Sequence, residues 1–453
     1  MIVSRLVNRN GSNVDFFTGG RRSPWYLVAF GMVGASVSGV TFVSVPGMVL
    51  RSDMTYLQTC MGFILGYVVV AFVLLPIYYR LKLTSIYTVL QPMGDEAHKT
   101  GTLFFIVSKL LGSSAKFFVP CYIISESLGA PMSLTVVAMM LLIWCYTHRG
   151  GIRTLVWTDV LQTCCMLTAL LLITYTVADK LGYSAADAVT AVYNDSHSRI
   201  FEFGDWSSSQ HFVKAFVSGI FIVIVMTGLD QDMMQKNLTC KSLRDAQKDM
   251  CCYGMAFVPV NLLFLALGVL LAQLYDSMGL LLPEKGDALL TTLVADGTLG
   301  NMVMLFFCIG IVAASFSTID GSLTSLTTCM CVDVLKRQDD ERLRKSVHMV
   351  MAVLMMLCVM IYHFVGITSL IDAVYTLVSY TYGPLLGLFA VSPFVRGYQV
   401  RGVSAVCIVS PLLCYALSIL VPQYTGYHFG YELLLLNGMM TFSGVWLLKI
   451  RKK

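Results

Sequence analysis

The chain has 453 residues, of which 57% are hydrophobic and 13% charged, with a mean hydropathy of +0.74. Soluble domains carry about 25% charged residues, so half the charge of a solvated surface is missing. This excludes a cytosolic enzyme, a secreted disulfide scaffold, a coiled coil and a disordered chain. The net charge of +5 carries no nucleic-acid signature, because the basic residues are segregated by side of a membrane.

A helix of about 20 apolar residues crosses the hydrocarbon core. Twelve such runs follow in chain order, at residues 26–50, 55–79, 102–126, 130–147, 155–178, 211–228, 249–274, 301–332, 346–364, 366–391, 402–421 and 429–448. They predict an all-α polytopic membrane protein. If the first run enters from inside, 24 of the 31 Lys and Arg lie on the cytoplasmic side. These include Arg21, Arg22, Arg80, Lys82, Lys236, Lys241, Lys336, Arg337 and Lys449, whereas only Arg51, Lys180, Arg199 and Lys285 lie outside. That asymmetry predicts cytoplasmic N- and C-termini for this chain in the cell (inner) membrane.

Met1–Val7 is apolar but lacks the plan of a cleaved signal, and it reads as the last turns of a helix whose beginning is missing. Lys236–Lys248 reads as a polar, helical cytoplasmic loop, and Lys180–His211 as the longest outer loop. The 14 cysteines form no CxxC pair and read as small apolar filler. No Walker, HExxH or GxSxG motif is present, and neither loop is large enough for a catalytic domain. The chain therefore reads as a non-enzyme that acts within the membrane.

Polar residues inside spanning helices are expensive and point to function. The first run contains GASVSGVTFVSVPG, with Gly34, Gly39, Pro46 and Gly47 as helix breakers and Ser36, Ser38, Thr41 and Ser44 as hydroxyls. Breakers at mid-depth free carbonyls to line a cavity or bind an ion. The rival reading is close helix packing, as for the GxxxG pair Gly62 and Gly66. In the eighth run Ala314, Ser317, Thr318, Gly321, Ser322 and Ser325 fall on one helical stripe. The adjacent hydroxyls of Ser317 and Thr318 suit a hard cation, which takes oxygen ligands, or else they bond back to the preceding turn. Asp320 lies one turn from Ser317. In WTDVLQ, Asp159 and Gln162 share a face, and Asp159 is either an ion-exit step or the partner of a nearby arginine. Lys109 and Lys116 share a face of the third helix. Lys109 reads as ion-paired or snorkelling, and Lys116 as the better candidate to touch substrate.

Four segments taken together resemble the sodium/solute symporter family, which includes the sodium–glucose, proline, iodide and sialic acid cotransporters. They are DFFTGGRRSPWY with GASVSGVTFVSVPG, then GGIRTLVWTDVLQ, then TGLDQDMMQKNLTCKSLRDAQ, then ASFSTIDGSLTSLTTCMCVDVLKR, and TYGPLLGLF near Gly383 adds a fifth. The resemblance implies the five-plus-five inverted-repeat transporter fold with extra C-terminal helices. Residues 1–25 would be a cytoplasmic N-terminal segment, 26–178 the first repeat, 179–210 the outer loop, 211–391 the second repeat, and 392–453 two further helices with a basic tail. It also implies sodium between the first and eighth helices, bound by carbonyls of Gly34, Val37 and Ala314 and hydroxyls of Ser317 and Thr318. Asp159 and Asp320 would form an exit step or a second sodium site, although Asp320 and Gly321 replace the hydroxyls usual there.

Substrate contacts are expected from Ser36, Ser38, Thr41, Cys60, Lys116, Asp230 and Gln231. Cys60 and Thr41 stand where sugar transporters of the family carry glutamate and glutamine, which argues against a glucose-like mode. Sialic acid or another small organic anion is the expected solute, with a neutral sugar or amino acid as the alternative. The expected activity is sodium-coupled symport by alternating access, in which each charge moved down 100 mV supplies about 2.3 kcal/mol. A channel would need a continuous polar pore, and a membrane enzyme a set of paired acids, a metal cluster or an activated nucleophile. A sensor without net transport remains the other alternative.

Overall fold

The computed structural model describes residues 13–204, 206, 208–365, 370–395, 398–425, 427 and 429–451, so the predicted tail of a missing helix at Met1–Val7 lies outside the described residues. A short helix α1 (Asn13–Thr18) precedes the first span, which is broken into α2 (Trp25–Ser36) and α3 (Gly39–Ser52) bent by 63°. Then follow α4 (Tyr56–Arg80), α5 (Asp95–Leu128), α6 (Met132–His148) and α7 (Gly151–Lys180). The last two are separated at Gly151, whose φ of +49° lies in the region that favours glycine.

The outer segment carries α8 (Ala185–Asn194). A second broken span comprises α9 (Phe212–Gly228) and α10 (Gln231–Asn237), bent by 70°. The chain continues through α11 (Leu243–Ser277), α12 (Ala288–Ala295), α13 (Asn301–Val334), α14 (Glu341–Val365), α15 (Leu370–Val391), α16 (Val403–Thr425) and α17 (Leu433–Leu447). Seven of the described helices are long and apolar enough to cross a membrane, or nine with each bent pair counted as one span, and α6 and α17 are shorter apolar helices.

Each of the twelve expected runs is mostly helical in its described residues, the first being broken at Val37 and Ser38. The fold departs from the expectation in two ways. A short antiparallel pair, Tyr398–Val400 with Lys449–Arg451, interrupts the all-helical reading. Of the stretch Lys236–Lys248, expected as a polar cytoplasmic loop, residues 236–240 are not solvated but buried, together with the residues from Gln231 before them. Gln231–Asn237 is buried throughout, and Lys236 is 1% exposed. The sequence QDMMQKN lacks an apolar run, yet most of its polar side chains find partners inside the protein, while Asp232 Oδ1, Gln235 Oε1 and Asn237 Oδ1 accept no hydrogen bond. Gln231 bonds the backbone of Thr84 and Ile86, Gln235 bonds Phe17 O and Thr328, and Asn237 bonds Ala246 O. Buried polar groups are tolerated when they are paired in this way.

Small residues bring the core helices close. Gly62 of α4 packs on the backbone of Phe216 and Gly219, and Gly66 on Ile220 and Val223. The sequence GxxxG pair is thus a packing face against α9.

Candidate functional site

The break in the first span is written in its local chemistry. Val37 is extended (φ −82°, ψ 101°), and Ser38 begins α3 with its N–H donating to Thr41 Oγ1 at 3.2 Å. In a continuous helix that N–H would bond Gly34 O. The last carbonyls of a helix have no partner within it, so the break releases those of Gly34, Ala35 and Ser36, while Val33 O is taken by Val37 N–H at 3.1 Å. Pro46 lies inside α3, where it removes one backbone donor from the helix.

Helix α13 faces this break with a run that is buried from Ala313 to Cys329, apart from half-buried Phe316. Thr318 Oγ1 lies 3.0 Å from Ala314 O and 3.4 Å from Ala35 O, so one hydroxyl reaches both helices. Ser317 Oγ donates to Asp159 Oδ1 at 2.6 Å. The structure therefore brings Ala314, Ser317 and Thr318 against the opened end of α2, where Gly34 and Val37 lie. Free carbonyls and hydroxyls without a soft ligand are the donor set of a hard monovalent cation.

Asp159 is buried, and its partner is not the arginine considered from sequence. Arg153 pairs with Asp15 at 3.1 Å. Asp159 Oδ2 instead takes the ammonium of Lys236 at 3.0 Å. Asp320 is fully buried and accepts from the Tyr146 hydroxyl at 2.8 Å. The two acids expected to act together are thus held by different partners.

Beside the break lies a cavity of about 130 Å³, lined by Ser36, Ser38 and Thr41 from the first span, Lys109 and Lys116 from α5, and Asp230, Tyr253, Asn261 and Thr318 among others. Ser36 bonds the hydroxyl of Tyr253, which also accepts from Tyr67 at 2.8 Å. Lys109 is ion-paired, 2.9 Å from Asp230 and 2.9 Å from Asp232, and Asp230 also accepts from the Tyr382 hydroxyl at 3.0 Å. Lys116 forms no hydrogen bond or ion pair among the described residues.

Two expected substrate residues are not at this cavity. Cys60 is fully buried in the core and does not line it, because its face of α4 turns into helix packing. Gln231 spends its amide on the backbone of Thr84 and Ile86. Sequence reasoning missed Asp232, Lys236, Tyr146, Tyr253 and Asn261. Of these, only Asp232 and Lys236, spaced i, i+4 just after the Gly228 breaker, gave a readable signal.

A second, larger cavity of about 620 Å³ lies beyond the first on the side of residues 179–210, lined by Arg51, Thr55, Thr59, Gln210, Tyr380 and Tyr431 among others. Tyr56 lines both cavities.

Comparison with known proteins agrees with this geometry. Residues 16–402 match the Sodium:solute symporter family. The human sodium/iodide cotransporter is 24% identical over 409 residues, covering 86% of this chain and 62% of that protein. The chain thus spans about three fifths of the length of that relative. The sodium/sialic acid symporter NanT of Aliivibrio fischeri is 24% identical over 413 residues, covering 86% of this chain and 79% of that protein. A Na+-coupled sialic acid symporter solved in a substrate-bound outward-open state superposes with a TM-score of 0.84 at 20% identity, covering 98% of this chain and 94% of that one. The two share a fold. With the family matched over most of its length and its two broken spans facing each other across a buried cavity, this chain belongs to the sodium:solute symporter family, whose members are membrane transporters and not enzymes.

Proposed function

We propose that the protein carries a small organic anion across the plasma membrane together with sodium, by alternating access. The observation that carries this reading is Lys116. It is an ammonium without a hydrogen-bond or ion-pair partner among the described residues, on the wall of a cavity that borders the candidate sodium site. An unpaired, half-buried cation is costly within the membrane, and an anionic solute supplies the missing charge. Iodide and sialic acid, named for two relatives, are both anions.

Sodium binds at Gly34, Val37, Ala314, Ser317 and Thr318 in this reading. It ties the opened first span to α13, shapes the adjoining cavity and raises solute affinity by linkage. Residues 26–178 and 211–391 act as the two inverted repeats, with residues 392–453 supplying two further helices. Both termini of the chain face the cytoplasm.

The test is uptake into proteoliposomes under an imposed sodium gradient, with potassium as control, for labelled sialic acid, lactate, glucose and proline. Sodium-dependent uptake confined to the acids is expected, and a Ser317→Ala/Thr318→Ala variant should lose its sodium dependence. Transport of glucose or proline alone would overturn the anion reading. Sodium dependence retained in the double variant would overturn the ion site.

A further inference from the structure

We propose that the ammonium of Lys236 stands where a second cation would sit, so that the chain binds a single sodium ion per molecule. The inference rests on the symport reading above and assigns its stoichiometry.

Lys236 is 1% exposed, at the end of the seven-residue helix α10. Its Nζ lies 3.0 Å from Asp159 Oδ2, 3.6 Å from Asp232 Oδ1 and 3.5 Å from the carbonyl oxygen of Ser317. An isolated ammonium is not stable at such a place. This one is held as a bound monovalent ion would be, by two carboxylates and a carbonyl.

The same oxygens border the candidate sodium site, because Ser317 supplies both the carbonyl next to Lys236 and the hydroxyl that engages Asp159 Oδ1. Both oxygens of Asp159 are therefore committed, one to a hydroxyl and one to a resident cation. A sodium ion entering beside Asp159 would have to displace an ammonium tethered to the backbone of α10.

A Cβ on Gly321 would lie 2.2 Å from Asp232 Oδ1 and 2.9 Å from Lys236 Nζ. Any side chain at 321 would occupy the space in which these two groups meet, so the glycine makes room for the ammonium. Asp320, the other acid expected at a second site, is buried with one oxygen bound to Tyr146 and the other without a hydrogen bond.

One sodium moving with a monovalent anion transfers no net charge. Uptake would then follow the sodium gradient and ignore membrane potential.

The deciding measurement is the number of 22Na+ ions bound per purified full-length chain, read by equilibrium binding against potassium. One equivalent with a Hill coefficient of 1 is expected. Two equivalents would overturn the inference and leave the symport reading intact, whereas no saturable binding would overturn both. In Lys236→Gln the vacated position should admit a second ion, which raises the count to two or the Hill coefficient clearly above 1. Lys236→Arg should keep the count at one. A folded Lys236→Gln protein that binds one ion with unchanged affinity would reduce Lys236 to a structural staple and overturn the proposal. Should that variant fail to fold, the wild-type count still decides.

Discussion

Two lysines on one face of α5 have opposite fates. Lys109 is neutralised by Asp230 and Asp232, while Lys116, about two turns further on, lines the cavity with no such partner. The first is part of the scaffold, since it holds the start of α10 against α5. The second is available to a ligand. A hydrogen bond to a charged group contributes about 1.5–3 kcal/mol, so Lys116→Gln should raise the KM for the transported anion by roughly 10- to 150-fold. Its sodium affinity without solute should change little. Uptake kinetics and sodium-induced thermal shifts, measured on the same preparation, check both statements. Equal losses in both would place Lys116 in the ion site instead.

Each broken span is an element whose function is to be incomplete. In the first, the Ser38–Thr41 bond draws away the N–H that Gly34 O would otherwise accept. In the second, Asp230 begins α10 by accepting from Asp232 N–H at 2.9 Å, a common way to start a helix. The opened end of α2 is set by its close approach to α7. A Cβ on Gly34 would lie 2.0 Å from Thr163 Oγ1 and 2.9 Å from its Cβ. Overpacking of this kind costs about 1–3 kcal/mol. Gly34→Ala should therefore lower the melting temperature and weaken sodium binding together, and adding Thr163→Ala should restore both in part. Thermal unfolding in sodium and in potassium reads the two effects. An unchanged melting temperature in Gly34→Ala would show that the approach is looser than the structure gives.

At the scale of the whole molecule, one end of the bundle is closed by α1. Phe16 is fully buried, with the Arg344 guanidinium 4.3 Å from its ring centre and His348 edge-on to it. A Cβ on Gly151 would lie 2.6 Å from Phe16, so this left-handed glycine between α6 and α7 makes room for the ring. Phe17 O accepts from Gln235 of α10, and Asp15 pairs with Arg153 of α7. The short helix thus ties α7, α10 and α14 together beside the candidate ion site. Removing a buried phenylalanine side chain costs about 3–5 kcal/mol. Phe16→Ala should accordingly speed amide hydrogen exchange across Gln231–Asn237, while α16 and α17 keep their protection. Exchange that rises equally everywhere would mean global destabilisation and not the release of a closure.

The sequence by itself determined that this is a polytopic helical membrane protein, where its spans lie, and which hydroxyls and breakers crowd the first and eighth of them. Those features are local: a span is visible as an apolar run, and a break as glycine, proline and serine within one. Gly34 as a breaker and Ser317 and Thr318 as hydroxyls were legible for that reason, as was the contrast between Lys109 and Lys116, whereas Val37 and Ala314 entered the candidate ion site only through the family resemblance. Tertiary structure alone decided how the polar groups are paired. Asp159 meets Lys236 across 77 positions of sequence, Cys60 and Gln231 turn into packing, and QDMMQKN is buried although nothing in its composition is apolar enough to require it. Pairing cancels charge only once distant helices are brought together, so a buried ion pair has no local signature, and the chain could show its charged residues without showing which of them remain free to act.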